Sequence, residues 1–438
     1  MASVYGFIRR NWAIRNPPVV PKNENALKFG VFGAANITQS HPDVIVQCVA
    51  ARSEKKAQEY AKKHGIPEVK KSYQDILDDP SISCVYIPLP NGLHYEWALR
   101  SLAAGKHVLL EKPSVSNATE AKALFFSPLL EETSDVTCTK LVLLEAFHFR
   151  FQPPWRAFMG HVDSENVERA RATLAAPRVM FEKNDIRFQY ALSGGCAMDP
   201  GTYPVACLRQ VFGATTDTEG VVEDREPEEC LSADLKMFPE PEGKTDSAFE
   251  AKFRFPGGGI GEVRSNLLTG MLEMEIPRVE VVHRPVVLSA EEAAAKVGGK
   301  KGKGKGLGDD EELVRTRKVV IENYLVGAVW HRIIVEDDFL LRKRGGESKE
   351  PIRKWTNKKV VKAYTWEEGK VEAMEGQPGE AHWLTYRHQL EQFVNRVRGT
   401  KGNGLWIDAK DSVNQSKAID MVYEKAGVPL RPTSEFQL

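Results

Sequence analysis

The sequence predicts two domains: an α/β domain built on a parallel sheet, followed by an α+β domain with a mostly antiparallel open sheet. The chain has 438 residues, which is too long for one compact domain. In its first third, apolar runs of strand length alternate with helical patterns, which is typical of a parallel sheet covered by helices. Beyond Phe149 the runs alternate apolar and polar residues, as half-buried antiparallel strands do.

The first domain is placed at residues 27–146, behind an N-terminal arm of residues 1–26. Five apolar runs predict its strands, at residues 27–32, 44–50, 84–88, 107–110 and 141–147. Helix signals predict helices at residues 54–64, at 72–77 and from a cap at Asn91 to Gly105. The arm is rich in arginine, like a mitochondrial transit peptide, but Pro17, Pro18 and Pro21 would interrupt a helix, which favours a plain arm.

The second domain is placed at residues 147–438. Its predicted strands include a hairpin around Pro256, and lie at residues 170–174, 249–255, 260–264, 279–282, 319–321 and 333–335. Two helices follow, one with an apolar face from Trp383 to Val397 and one from a cap at Asp408 to Gly427. A stretch rich in glycine and lysine, within residues 290–312, is interpreted as a flexible surface insertion, with a polyanion tether as the alternative.

Charge and composition exclude several classes of protein. Sixty basic and sixty acidic residues give a net charge of zero, so no overall field would attract nucleic acid or anionic lipid. No apolar run has the length needed to span a bilayer, and the six cysteines form no C-x-x-C pair. The ten histidines show no ligand spacing, so no metal site is predicted. We expect a cytoplasmic protein, with mitochondrial targeting as the second choice.

Two features at predicted strand ends indicate a dinucleotide site. The segment from Gly33 to Thr38 supplies small residues where a backbone must approach a pyrophosphate, although an ordinary tight turn would look the same. Arg52 follows the second strand, where NAD-binding proteins usually carry a carboxylate, and a guanidinium there favours the 2′-phosphate of NADP. The alternative for Arg52 is a solvated side chain at the start of a helix. The first domain is therefore predicted to be a Rossmann domain.

Several motifs in order make the chain resemble the Gfo/Idh/MocA oxidoreductases, closest to their dimeric dihydrodiol dehydrogenase and NADP-dependent D-xylose dehydrogenase branch. These motifs are Glu111-Lys112-Pro113, Pro88-Leu89-Pro90-Asn91-Gly92-Leu93-His94, Glu145-Ala146-Phe147, and the segment from Gly194 to Tyr203. The resemblance implies catalytic roles for Lys112 and Tyr203, with Asp199 orienting the substrate or Lys112. Because a nearby ammonium favours a phenolate, Lys112 beside Tyr203 would make the tyrosine a base. Gly194, Gly195 and Gly201 would let the backbone approach the substrate and cofactor.

The resemblance also implies a cofactor site and a reaction. NADP would lie along Gly33, Ala35, Asn36, Arg52, Pro88, Asn91, His94, Glu111 and Lys112. The expected reaction is oxidation of an aldose, such as D-xylose to its lactone, or of a trans-dihydrodiol, catalysed by a homodimer. The sequence departs from the family in one place, because only ten residues (34–43) join the first two strands, which leaves little room for the first helix. A non-catalytic NADP-binding sensor, or a protein that binds no cofactor, is therefore the alternative.

Overall fold

The N-terminal part of the chain forms a parallel sheet of six strands. A computed structural model describes residues 4–33, 41–213, 225–239, 243–270, 275–297, 307–308, 310–344, 351–371 and 374–438. The strands are β1 (Leu27–Phe32), β2 (Val44–Ala50), β3 (Glu68–Val69), β4 (Cys84–Ile87), β5 (His107–Leu110) and β6 (Leu143–Glu145). Their order in the sheet, β3-β2-β1-β4-β5-β6, is that of the Rossmann fold, and all neighbours are parallel. The predicted α/β fold is confirmed.

Helices cover both faces of this sheet. They are α2 (Glu54–His64), α3 (Tyr73–Leu77), α4 (His94–Ala103) and α5 (Ala118–Phe125). The hydroxyl of Ser53 caps α2, and Gly65 ends it in the left-handed conformation, so the predicted end of this helix at Gly65 is confirmed. The prediction that Asn91 caps a helix is wrong, because residues 91–93 form a 3-10 turn and α4 begins at His94. The Asn91 side chain instead donates a hydrogen bond to the Ser193 carbonyl at 3.0 Å, so a contact with the second half of the chain replaces the local cap.

The second half of the chain forms a sheet of nine strands. They are β7 (Val167–Pro177), β8 (Glu229–Met237), β9 (Asp246–Phe255), β10 (Gly259–Thr269), β11 (Arg278–His283), β12 (Val286–Val287), β13 (Glu311–Glu322), β14 (Arg332–Lys343) and β15 (Arg353–Val361). The order is β15-β14-β13-β11-β7-β10-β9-β8, with β12 paired to β13. Only β7 and β10 pair in parallel, so the predicted mostly antiparallel sheet is confirmed, as is the hairpin of β9 and β10.

The described residues of the second half include the helices α6 (Pro153–Met159), α7 (Thr202–Val211), α8 (Ala290–Val297), α9 (Thr385–Val397) and α10 (Ala409–Lys425). The side chain of Asp408 caps α10, as predicted. Helices α9 and α10 return to the first sheet, since the Phe29 and Phe393 rings lie 5.9 Å apart and α10 packs against α5. None of the helices in the described ranges is long and apolar enough to cross a bilayer.

Two segments differ from their predicted character. The predicted insertion within residues 290–312 includes helix α8 and the start of β13, while residues 298–306 and 309 lie outside the described residues. The N-terminal arm contains a helix, α1 (Val4–Arg15), which ends before the prolines. Arg10 of α1 is buried, lies 3.4 Å from the centre of the Tyr364 ring and donates to the Ala328 carbonyl at 2.6 Å. The arm is therefore part of the packed structure.

The C-terminal tail after α10 connects both halves of the molecule. Arg431 is completely buried, forms an ion pair with the equally buried Asp246 of β9, and donates to the Gly194 carbonyl at 2.6 Å. On its other side, the Arg431 carbonyl accepts a hydrogen bond from Asn117, the residue that caps α5. Residue Ser434 then donates its backbone N–H to Glu120 of the same helix at 2.6 Å. The tail thus holds the two sheets together at the side of α5.

Candidate active site

A cavity of about 800 Å³ lies at the carboxyl edge of the six-stranded sheet. In an open parallel sheet this edge is where ligands bind, because the loops after successive strands meet there. One wall comes from the ends of β4 and β5, and the opposite wall from the end of β7 and the segments before β11 and after β13. The cavity is therefore shared between the two halves of the molecule.

Three charged side chains that line this cavity are joined by ion pairs. Lys112 follows β5, and its Nζ lies 2.8 Å from Oδ1 of Asp199, which precedes α7. The other Asp199 oxygen accepts a hydrogen bond from Nε of Arg187. Burial would raise the pKa of Asp199, but the positive charges of Lys112 and Arg187 outweigh it and lower that pKa to about 2. Asp199 is therefore a carboxylate at any working pH, and it fixes the position of the Lys112 ammonium.

Tyr203 lies in the first turn of α7, directly beside Lys112. The Lys112 Nζ is 4.7 Å from the centre of the Tyr203 ring, and the Tyr203 hydroxyl lies 2.9 Å from Nε2 of His148. Burial raises the pKa of Tyr203 well above its usual value, and the nearby Tyr386 and Glu111 add to this. The expectation that Lys112 would favour a phenolate is not met in this arrangement, because the ammonium is paired with Asp199 and faces the ring. Tyr203 carries its proton at neutral pH.

Three predicted cofactor residues stand at the carboxyl ends of neighbouring strands. Gly33 follows β1 with a φ of 100°, Arg52 follows β2 with an exposed side chain, and Pro88 follows β4. Among the described residues, a Cβ at Gly33 would meet Leu89 and the Pro88 carbonyl, at 3.8 and 3.9 Å, and the positive φ is one that glycine adopts readily. Ala35 and Asn36, which the sequence also assigned to the cofactor, lie outside the described residues.

The remaining predicted cofactor residues line the same cavity but already have protein partners. Both ring nitrogens of the buried His94 lie within 2.9 Å of carbonyl oxygens, of Pro113 and Leu89. Glu111 accepts a hydrogen bond from the Tyr86 hydroxyl at 2.7 Å, and burial raises the pKa of this carboxyl. These contacts connect the loops after β4 and β5, so the residues shape the cavity, and their binding of a cofactor stays a prediction.

Close packing of protein atoms explains why glycine occurs at the three positions that were expected to let the backbone approach the substrate and cofactor. A Cβ at Gly194 would lie 2.6 Å from the Arg187 carbonyl, and one at Gly195 would lie 2.3 Å from Asp246. A Cβ at Gly201 would lie 2.2 Å from the Phe249 ring. The expectation about these positions is therefore corrected: protein atoms of the second half occupy the space that a side chain would need.

Three site residues were missed by the sequence analysis. Arg187 lies in a loop without any sequence signal, and it reaches Asp199 only through the fold. His148 follows Glu145-Ala146-Phe147 directly, so its position beside a recognised motif was the available signal. Tyr386 was assigned to the apolar face of a helix, yet it is 36% exposed and stacks on the His148 ring at 4.1 Å.

The Rossmann strand order, with a cavity at its carboxyl edge, defines the first sheet as part of a dinucleotide-binding fold. Residues 27–134 match the model of the Gfo/Idh/MocA family, described as an oxidoreductase family with an NAD-binding Rossmann fold. Over these residues, the resemblance that the motifs indicated is confirmed.

Relatives and solved structures extend this comparison. The chain is 35% identical over 207 residues to D-xylose 1-dehydrogenase (NADP(+)) 2 of Haloferax volcanii, covering 44% of this chain and 61% of that protein. It is 32% identical over 201 residues to trans-1,2-dihydrobenzene-1,2-diol dehydrogenase of Homo sapiens, covering 43% of this chain and 57% of that protein. The chain thus spans about three fifths of the length of these relatives.

Among solved structures, the fold resembles KijD10, a 3-ketoreductase from Actinomadura kijaniata in complex with NADP and TDP-benzene. The TM-score is 0.62 at 20% sequence identity, and the match covers 92% of this chain and 98% of that one. At this identity the likeness concerns the fold, and it includes both sheets.

Proposed function

We propose that this chain is an NADP-dependent oxidoreductase that interconverts a hydroxyl and a carbonyl group on a sugar or diol. The observation that carries the proposal is the arrangement of Lys112, Asp199 and Tyr203 in one cavity at the carboxyl edge of a Rossmann sheet. An ammonium held by a carboxylate, next to a buried phenol, is a suitable pair for a reaction in which a proton and a hydride move together.

The residues around the cavity fit a dinucleotide phosphate. Glycine at position 33, with a φ of 100° and no side chain, suits the close approach of a pyrophosphate, and the exposed guanidinium of Arg52 suits a 2′-phosphate. Pro88, Asn91, His94, Glu111 and Lys112 would form the floor beneath the nicotinamide. When bound, the cofactor supplies or accepts the hydride.

The chemical roles follow from the charges and the proton on Tyr203. In the reducing direction, Lys112 donates a hydrogen bond to the carbonyl oxygen and the Tyr203 hydroxyl gives it a proton, while hydride adds to the carbon. In the oxidising direction Tyr203 first loses its own proton to solvent, and the phenolate oxygen then takes the proton of the substrate hydroxyl while hydride leaves the carbon for the cofactor. Asp199 keeps the Lys112 ammonium in place throughout. Because burial raises the pKa of Tyr203, oxidation should become faster as pH rises.

The composition of the cavity bears on the substrate, which we propose to be an aldose such as D-xylose or a trans-dihydrodiol. Polar groups gather at the Lys112 end. The lining also includes large apolar side chains that are unusually exposed, with Met180 at 69%, Ile276 at 47% and Val326 at 47%. A pentose has hydroxyls around its whole ring and would leave them without partners there. Within the proposal, a diol on an apolar ring is thus favoured over D-xylose.

Two measurements test this function. Titration of NADPH and NADH fluorescence should give tighter binding of NADPH, and a rate assay should give a higher kcat/KM for trans-1,2-dihydrobenzene-1,2-diol than for D-xylose. Binding of NADPH without turnover of either substrate would support the non-catalytic sensor, which the short β1–β2 connection favours. Failure to bind either nucleotide would contradict the proposal as a whole. The homodimer and the cytoplasmic location belong to the same proposal, and sedimentation of the purified protein tests the first of them.

A further inference from the structure

His148 stands on the far side of Tyr203 from Lys112. It begins a 3-10 turn, His148–Phe151, directly after the motif that ends β6, and it is only 5% exposed. Its Nε2 lies 2.9 Å from the Tyr203 hydroxyl, and its ring stacks against Tyr386 at 4.1 Å. The phenol of Tyr203 is therefore held between a lysine over its ring and a histidine at its oxygen.

The imidazole of His148 is neutral. Burial lowers its pKa to about 3, and the nearby charge of Lys112 acts in the same direction. One ring nitrogen then carries a hydrogen and the other a lone pair. Nδ1 is buried and has no hydrogen-bond partner within the described residues, so Nε2 is the nitrogen that makes the only side-chain hydrogen bond of this ring there.

The two tautomers differ in what they leave unpaired. With the hydrogen on Nδ1, a buried N–H donor would have no acceptor, which native structures rarely tolerate. With the hydrogen on Nε2, only an acceptor lone pair is left over, and unpaired buried acceptors are more common than unpaired donors. The geometry thus favours the tautomer in which Nε2–H donates to the Tyr203 oxygen.

We propose that His148 is a positioning residue whose Nε2–H donates to the Tyr203 oxygen and thereby turns the Tyr203 hydroxyl proton into the cavity. A hydroxyl that accepts a hydrogen bond from His148 cannot also point its hydrogen at that nitrogen. The hydrogen then faces the reacting oxygen of a carbonyl substrate. Once the proton has left, the same N–H stabilises the phenolate. This inference rests on the proposed function for its catalytic meaning, but the tautomer itself can be measured without turnover.

The first test is ¹⁵N NMR of the full chain labelled at histidine, because the two tautomers give different nitrogen shifts. The His148 signals are assigned as those missing from a His148→Met variant. We expect the spectrum of a neutral ring protonated at Nε2, unchanged between pH 6 and 8. A ring protonated at Nδ1 would overturn the proposal, whether or not the protein proves to be an enzyme.

The second test compares two substitutions kinetically. His148→Met keeps the bulk of the side chain but removes the hydrogen-bond donor. We expect kcat to fall by about 10²-fold, as when an enzyme loses one donor to an oxyanion. KM and the NADPH Kd should stay nearly unchanged. The rising limb of the oxidation rate should also move to higher pH, because the phenolate has lost its partner. His148→Gln places an amide N–H near the position of Nε2, and it should restore most of kcat and of the pH profile.

His388 provides the matched control. It is another buried, neutral histidine, on α9, and its contacts are with the rings of Trp366 and Trp383 rather than with Tyr203. His388→Met should lower the melting temperature and leave kcat and the pH profile unchanged. An active wild-type protein in which His148→Met behaves like His388→Met would overturn the positioning role while the proposed function stands. A wild-type protein without turnover would reject the function, and the NMR result alone would then decide on His148.

Discussion

At the scale of single residues, Lys112 and Tyr203 should act as one unit. Lys112→Met removes the charge that Asp199 holds beside the tyrosine, so we expect kcat to fall by about 10²-fold or more. Tyr203→Phe should cost a similar factor, and the double variant should be little worse than either single variant. Steady-state kinetics of the three variants measure this, and fully multiplicative losses would contradict a shared role.

Lys106→Met is the control for this pair. Lys106 is a buried lysine just before β5, and its Nζ donates to the carbonyls of Asp79 and Ile82 at 2.8 Å. Lys106 lies at the amino end of β5, and Lys112 follows the carboxyl end of the same strand. Loss of the Lys106 side chain should lower the melting temperature without changing kcat. The comparison therefore separates the general effect of losing a buried lysine from the specific effect of losing Lys112.

Arg52 should decide between the two nicotinamide cofactors. A carboxylate at this strand end can bind a ribose 2′-hydroxyl and repels a 2′-phosphate, so Arg52→Asp should reverse the ratio of the NADPH and NADH dissociation constants. Lys55→Asp, an equally exposed position in the first turn of α2, makes the same change of charge and should leave the preference for NADPH in place. If both variants keep the original ratio, another residue recognises the phosphate.

At the scale of elements, α1 supports one wall of the cavity. Arg10 donates to the Ala328 and Val329 carbonyls, and Val329 lines the cavity. Arg10→Met removes two hydrogen bonds from a charged donor, so we expect a loss of about 2 kcal/mol in stability and a several-fold rise in KM. Chemical denaturation and kinetics measure the two effects. Arg9 is an exposed neighbour on the same helix, and Arg9→Met should change neither the stability nor KM. An unaltered KM in Arg10→Met would show that α1 does not support the cavity.

The connection between β1 and β2 should limit the affinity for the cofactor. The ten residues between Gly33 and Val44 leave little room for the helix whose N-terminal N–H groups normally hold the pyrophosphate. Inserting about ten residues of amphipathic helix between Ile37 and His41 should therefore lower the NADP Kd by orders of magnitude. Each hydrogen bond gained to a charged phosphate oxygen should contribute roughly 1.5 to 3 kcal/mol of binding free energy. Calorimetry compares the two forms. Equal dissociation constants in the micromolar range would show that the short connection is a working variant of the loop.

At the scale of the whole molecule, the buried carboxyl of Glu145 makes stability depend on pH. Glu145 is 1% exposed, accepts a hydrogen bond from the Ser114 backbone at 3.0 Å, and burial raises its pKa from 4.5 to about 7. The folded protein thus binds this proton more tightly than the unfolded chain does. Its contribution, on the order of 3 kcal/mol, is complete below pH 4.5 and is lost as pH rises to 7.

The variant Glu145→Gln removes this dependence, because an amide can keep the Ser114 hydrogen bond and has no proton to lose. Between pH 5 and 8 the melting temperature of the wild type should fall more than that of Glu145→Gln. Glu424→Gln, at an exposed position on α10, has the same change of charge and should follow the wild type. Parallel curves for all three proteins would mean that Glu145 does not titrate in this range.

Helices and strands that depend on residues close together in the sequence could be predicted from the sequence. The bounds of β1, β2 and α2 match, because apolar runs of strand length and a run of helix formers that stops at Gly65 mark them in the sequence. The placement of Lys112, Asp199 and Tyr203 in one cavity also matches the expectation from the motifs. Arg187 and Tyr386 could not be predicted, since each reaches the site through contacts far apart in sequence. For the same reason the proton on Tyr203 was misjudged: burial, which no local pattern shows, outweighs the neighbouring charge.

The position of the C-terminal tail affects when the protein can complete its folding during synthesis on the ribosome. The first sheet is complete once its six strands have emerged, and domains generally fold in the order of their synthesis. Asp246 emerges much later, and it remains without its charge partner for a further 185 residues, until Arg431 leaves the exit tunnel. Only then does the tail join Gly194 to α5 of the first sheet. The strands of the parallel sheet are therefore synthesised long before the tail that connects this sheet to the second half of the molecule.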